Sequence, residues 1–229
     1  TITVHPTSDA GNISPSITSR CGNGSVGLTL QSYIGSITKW EVRTKVGGNN
    51  FSSPQVIPNS AGDPTITYSM TENASQVKIY RFTAFVSSGS CVQATTSRDV
   101  TIYPSTKPGS IAEGADRCGS GNVSFSISNQ VGNITQWHYQ SRSVGSTNWS
   151  EPVLVSNSAG QTSINPYLSQ GSTPREYRAR ATVQAQNCGT VYSYSSSVVV
   201  NPLSVAGTVT TSIEESCSNT SVNLSVENQ

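Results

Sequence analysis

The chain has 229 residues, with 13 Lys+Arg against 12 Asp+Glu, a formal net charge of +1 and only 11% charged residues. So balanced and sparsely charged a surface carries no electrostatic footprint for nucleic acid or for an anionic membrane. Ser, Thr, Asn, Gly and Val dominate and there is one Met, a mixture that disfavours helices and suits short strands joined by turns; the longest apolar runs, such as Val198-Val199-Val200, are too short for a membrane span.

Thr1 to Pro6 reads as a strand end, and it matches Val100 to Pro104 and Val198 to Pro202. Pro6, Pro104 and Pro202 are evenly spaced. A proline stops a strand by removing a ladder donor, so each marks the close of one copy. The boundaries that follow are 1–6, the last strand of a preceding repeat; 7–104 and 105–202, two full repeats; and 203–229, the start of a truncated one. The expectation is a window on a longer array.

Within the first repeat, period-two alternation marks strands at Val26–Leu30, Thr38–Thr44, Ile66–Met70, Tyr80–Val86 and Val100–Ile102, with weaker ones near Ile13 and Val56. Turns fall at Gly22-Asn23-Gly24, Gly47-Gly48-Asn49 and Asn59 to Gly62. Asn59-Ser60-Ala61-Gly62 returns letter for letter as Asn157-Ser158-Ala159-Gly160, and Gly35-Ser36-Ile37-Thr38-Lys39-Trp40 returns as Gly132-Asn133-Ile134-Thr135-Gln136-Trp137. With no convincing helix, about seven antiparallel strands per repeat predict an all-β chain of tandem immunoglobulin-like antiparallel β-sandwiches. Trp40 and Trp137 are the core markers, each expected to face the opposite sheet.

The separation of Cys21 from Cys91 equals that of Cys118 from Cys188, and Cys217 stands where the first cysteine of the third copy belongs, its partner outside the chain. Their turn-like settings and fixed recurrence favour disulfides over buried thiols, and disulfides imply a location outside the cytoplasm. The preferred pairing is within each repeat, Cys21 with Cys91 and Cys118 with Cys188. Against it stands the topology: the second and sixth strands of such a sandwich run the same way, which sets a cysteine before one far from a cysteine after the other. A bridge between neighbours, such as Cys91 with Cys118, is the alternative.

The Gly-x-Ile openings, Cys-Gly-x-Gly, Gly-x-Ile-Thr-x-Trp, Tyr-Arg, and Gly-x-Cys or Asn-Cys before the last strand together resemble the immunoglobulin-like repeats of very large surface proteins of Bacteroidetes, including the SprB-type gliding-motility adhesins. The resemblance implies export by the type IX secretion route, display at the outer surface and a mechanical or adhesive role. Similar repeats also decorate secreted enzymes of that group.

Recurring surface residues are the better candidates for function in an array. Tyr80-Arg81 recurs as Tyr177-Arg178; a tyrosine at a sheet edge with its hydroxyl on backbone, and an arginine covering a sheet face, are the bland reading. Phe51 and Trp149 align, each after a Gly-rich turn. They would either stack on a sugar ring or form a lid over the tryptophan end of the core. His5 and His138 lack the partners that a metal site or a general base needs, and no calcium loop, phosphate loop or nucleophile elbow is present. The expectation is a non-enzymatic spacer of a surface adhesin, outer-membrane associated, with no catalytic residue, metal or cofactor. Its partners would be neighbouring repeats and an extracellular glycan or protein ligand. Carbohydrate-binding or accessory domains of a secreted glycan-degrading enzyme are the alternative.

Overall fold

The computed structural model describes residues 2–211 and 221–227; Cys217 lies outside the described residues. By packing, the chain divides into two compact units. The first comprises Thr1–Ser110, Ser128–Thr135 and Ala181–Ser193, the second Ile111–Ile127, Gln136–Arg180 and Tyr194–Gln229. Three stretches of the second sequence copy, 105–110, 128–135 and 181–193, thus belong to the first unit. All regular structure among the described residues is β-strand.

The first copy supplies β1 (Asn12–Pro15), β2 (Ser19–Cys21), β3 (Gly24–Gln31), β4 (Ser36–Val46), β5 (Gln55–Val56), β6 (Thr65–Met70), β7 (Lys78–Ser87) and β8 (Ala94–Tyr103). They form a three-stranded sheet in the order β1-β3-β6 and a five-stranded sheet in the order β2-β8-β7-β4-β5. Strict alternation drives this. Along β7, Tyr80, Phe82, Ala84 and Val86 are buried while the residues between them are half-exposed, as expected of a strand with one face on a core. The inner faces meet in one cluster that includes Val26, Leu28, Trp40, Met70, Phe82, Val100 and Ile102. This is an immunoglobulin-like sandwich.

β3, β4, β6 and β7 fall where the alternation places them, β1 and β5 where the weaker strands are expected, and β8 begins earlier than the expected Val100–Ile102. Residues 2–6, expected as a strand end, carry no strand, and β2 is not among the expected strands. Cys21, read from sequence as a turn residue, lies in β2. Its Ser-Arg-Cys has no apolar period; the strand exists because it pairs in parallel with β8, Arg20 opposite Ile102 and Cys21 opposite Tyr103. Parallel pairing along an edge is a tertiary fact that local pattern does not carry.

The second copy supplies β9 (Ser110–Glu113), β10 (Arg117–Cys118), β11 (Gly121–Asn122), β12 (Phe125–Ser128), β13 (Asn133–Ser143), β14 (Val153–Val155), β15 (Ser163–Ile164), β16 (Tyr167–Leu168), β17 (Arg175–Gln184), β18 (Thr190–Tyr194) and β19 (Val198–Asn201). The sheet β10-β19-β17-β13-β14 reproduces the order of the larger sheet above, β18 adding to β17, and β15-β12-β9 reproduces the smaller one. Phe125, Trp137, Leu168, Tyr177 and Val200 are buried. Where the first copy buries Leu28 and Phe82, the second buries Phe125 and Ala179, so the large ring moves from one sheet to the other, the kind of exchange that cores tolerate. Beyond it, β20 (Thr208–Thr211) pairs with β21 (Leu224–Glu227), Val209 opposite Val226. This is the register of Ile13 opposite Leu30 in the first copy, carried forward by the same number of positions on both strands.

Each tryptophan is locked by the repeated Asn-Ser-Ala-Gly turn. The Trp40 amide donates to Ser60 Oγ at 3.0 Å, Ser60 Oγ donates to the Ile57 carbonyl at 2.6 Å, and the Trp40 indole donates to the Asp63 carbonyl at 3.0 Å. Trp137 repeats the pattern with Ser158 Oγ at 3.0 Å and the Gln161 carbonyl at 2.8 Å. Asn59 and Asn157 take positive φ, 56° and 55°, which asparagine tolerates better than other non-glycine residues. Gly35 and Gly132, opening the Trp-bearing strands, lie at φ 121° and 123°, and a Cβ there would stand 2.7 Å from the Ser87 carbonyl oxygen and 2.6 Å from the Ala185 amide. Only glycine lets the strand enter so close to its neighbour.

Ser60→Ala leaves the buried Trp40 amide without its partner, so we expect a loss of about 1–3 kcal/mol in urea unfolding of the first unit. Ser60→Thr, which keeps the hydroxyl, is expected to lose less; equal losses for both would show that packing, not the hydrogen bond, fixes the turn.

Candidate functional site

The disulfide found in the structure joins Cys21 to Cys188, with Cα atoms 5.8 Å apart and a sequence separation of 167, while Cys91 and Cys118 are free. The intra-repeat pairing expected from the spacing is therefore corrected, and so is the alternative of Cys91 with Cys118. The topology gives the reason. Cys21 sits opposite Tyr103, beside the start of β7, where Lys78 faces Ile102; Cys91 follows the far end of β7 at Ser87. The length of such a strand is roughly 30 Å, against the separation of about 5.5–6 Å that a disulfide needs between its Cα atoms.

Cys188 reaches Cys21 because its segment, Ala181–Ser193, packs within the first unit. Small polar groups hold it there. The Ala185 amide donates to Thr106 Oγ1 at 3.2 Å, and Thr106 Oγ1 donates to the Gly189 carbonyl at 2.7 Å. Cys188 Sγ lies 3.4 Å from the Pro104 carbonyl, next to Tyr103. Lys107 and Val131 exchange both backbone hydrogen bonds, at 3.1 and 3.2 Å. A shallow cleft in this region is lined by Ser75, Val77, Pro104, Val131, Gly132 and Gln186 among others, without a charged side chain.

The recurring aromatics and arginines form stacked pairs. Arg81 lies 4.3 Å from the centre of the Phe51 ring and Arg178 lies 4.3 Å from that of Trp149. Arg81 stands between the buried Tyr80 and Phe82 on β7, so Phe51 covers the outward face of the five-stranded sheet and is not a lid over Trp40. Lys45 also approaches Phe51, at 5.0 Å, and Arg142 approaches Trp149, at 4.4 Å. These are cation–π contacts on half-buried rings. Each arginine has its own acceptor. Arg81 forks onto the Asp99 carboxylate at 2.8 and 2.9 Å, and Arg178 donates twice to Gln140 Oε1 at 3.1 and 2.9 Å. Arg142 pairs with Glu176. The adjoining tyrosines tie loops to strands: Tyr80 Oη accepts from the Thr71 amide and donates to its carbonyl, both at 2.9 Å, and Tyr177 Oη donates to the Ser169 carbonyl. The repeated Tyr-Arg thus joins an inward anchor to an outward stack.

Burial, before anything else, pulls the Arg178 guanidinium below its ordinary value; Tyr194 opposes this, while Arg142 and Arg180 add to it. Burial likewise lowers His138, reinforced by the Arg180 charge. His138 is half-buried on β13 opposite Leu154, and His5 is exposed; the two are not brought together in a site. Among the described residues no three His, Cys, Asp or Glu side chains gather as a metal-binding set, and no helix is long and apolar enough to cross a membrane.

Two outcomes test this arrangement. Peptide mapping without reduction should recover Cys21 cross-linked to Cys188, with Cys91 and Cys118 alkylated, and reduction should lower stability by up to about 5 kcal/mol in the chain-entropy treatment of so long a loop. For His138 the folded value is depressed, so the stability it supports is present above the unfolded value of about 6.5 and is lost as pH falls from there toward the folded value. His138→Gln should therefore show a smaller drop in Tm between neutral and mildly acidic pH than the parent chain; identical drops would remove His138 from the account.

No family profile and no curated protein sequence matches the chain. Among solved structures, a crystal structure of the chicken CNTN1 FN1-FN3 domains aligns with 98% of this chain and 76% of its own, at 13% identity and a TM-score of 0.36.

Proposed function

We propose that the chain is a non-enzymatic segment of a large secreted surface protein, in which tandem immunoglobulin-like domains act as a disulfide-stiffened spacer carrying an adhesive surface. The observation that carries this reading is the disulfide between Cys21 of the first copy and Cys188 of the second. A bridge within a copy stabilises that copy alone, whereas a bridge between copies resists their separation. Stable disulfides also belong to oxidising compartments, which supports a location outside the cytoplasm. The abundance of Ser, Thr and Asn and the sparse charge suit a surface exposed along its length. Attachment to a glycan or protein ligand, and a part in gliding, belong to the same proposal through the resemblance to Bacteroidetes surface repeats.

An antibody raised against the chain, applied to fractionated cells and culture medium under denaturing conditions, tests it. The expected result is a polypeptide many times larger than the 24.1 kDa of this chain, retained in the outer-membrane fraction. A band only modestly larger, free in the medium, would overturn the spacer reading and favour accessory domains of a secreted enzyme.

A further inference from the structure

The two free thiols lie in the same settings as the two bonded cysteines. Cys118 on β10 faces Asn201 of β19 in parallel, and the following Gly119 amide donates to the Asn201 carbonyl at 2.8 Å. Cys21 on β2 faces Tyr103 of β8 in parallel, and the Gly22 amide donates to the Tyr103 carbonyl at 3.0 Å. Cys91 likewise copies Cys188. Its amide donates to the Ser88 carbonyl at 3.0 Å, as that of Cys188 does to Ala185 at 3.1 Å. Its sulfur lies 3.5 Å from the Pro6 carbonyl, as that of Cys188 lies 3.4 Å from Pro104.

The surroundings repeat as well. The Ser88 amide donates to Ser8 Oγ at 2.9 Å, matching Ala185 with Thr106. Asp9 and Ile34 exchange backbone bonds at 3.0 and 2.8 Å, matching Lys107 with Val131. One difference separates the pairs. Cys188, covered by its partner, is 8% exposed, whereas Cys91 is half-exposed and Cys118 is exposed.

The geometry points to a disulfide ladder: the first cysteine of each repeat bonds to the second cysteine of the repeat that follows, with Cys21–Cys188 as one rung. Cys118 is then the donor half of the next rung, and its partner is a cysteine set like Cys188 in a following copy. Cys91 is the receiving half of the rung before, and its partner is a cysteine set like Cys21 in the copy that Pro6 closes. Each rung forms by loss of two thiol protons and two electrons, taken up by a small disulfide such as oxidised glutathione, which is reduced to two thiols. The inference requires tandem copies only and does not depend on the adhesive reading.

The test is an extended chain carrying one more copy of residues 105–202 inserted after Pro202, folded in a glutathione redox buffer and mapped without reduction. Cys21–Cys188 should persist, and Cys118 at its native position should change from alkylated to protected, cross-linked to the Cys188 equivalent of the inserted copy. That cross-link should survive Cys→Ser at the Cys118 equivalent of the inserted copy and vanish with Cys118→Ser at the native position. The reverse pattern would mean an intra-repeat bond, and a Cys118 that stays alkylated would mean no rung; either overturns the ladder. Circular dichroism and the retained Cys21–Cys188 bond report that each variant has folded.

Discussion

The hydrogen bonds that hold Trp40 against the Ser60 turn anchor the strand on which the larger sheet of the first copy is built. A tryptophan buries more surface than any other residue but brings an indole N–H that must be satisfied. Here the turn supplies the carbonyl of Asp63 for the ring and the hydroxyl of Ser60 for the strand amide. β4 is thereby held at one depth and one register in the core, and β7 follows by antiparallel pairing along nearly its whole length. That the same serine, asparagine and glycine recur around Trp137 shows the device to be a property of the repeat unit.

The strands were legible because their chemistry is local. Val26, Leu28 and Leu30 alternate with smaller or polar residues, and Tyr80, Phe82, Ala84 and Val86 do the same, so one face of each strand could be assigned without knowledge of its neighbours. The tryptophan markers were legible for the same reason. β2 was not, since Ser19, Arg20 and Cys21 have no period and are ordered only by the edge of β8. Nor was the cysteine pairing, because two equal spacings fit a bond within a copy as well as a bond across copies. The direction of the second and sixth strands argued against the first option. What selects the second is the approach of each later cysteine to a proline that closes the copy before, Cys91 to Pro6 and Cys188 to Pro104, and that contact is tertiary.

Phe51 and Trp149 illustrate a different limit. Their alignment and their position after Gly-rich turns were visible, but the choice between a sugar platform and a core lid left out a third arrangement, in which the ring lies on an arginine of the outward sheet face. In sequence Arg81 and Arg178 belong to a separate recurrence, that of Tyr-Arg. Spacing along the chain does not show that these two motifs meet as one stack on each copy. The stack is completed by different acceptors, Asp99 in one copy and Gln140 in the other, so the aromatic and the guanidinium are shared while the ion pair is not.

The bond between Cys21 and Cys188 also alters what a protease can achieve. It makes the long stretch of chain between the two cysteines a covalently closed ring. A single peptide-bond cut at any loop from Gly22 to Asn187 opens that ring without dividing the molecule, because the backbone on either side remains joined through sulfur. Exposed turns such as Gly47-Gly48-Asn49 and the one at Gly145 can therefore be nicked while both ends of the chain stay attached to each other. As long as the two cysteines remain oxidised, a nick in such a turn leaves the chain in one covalent piece.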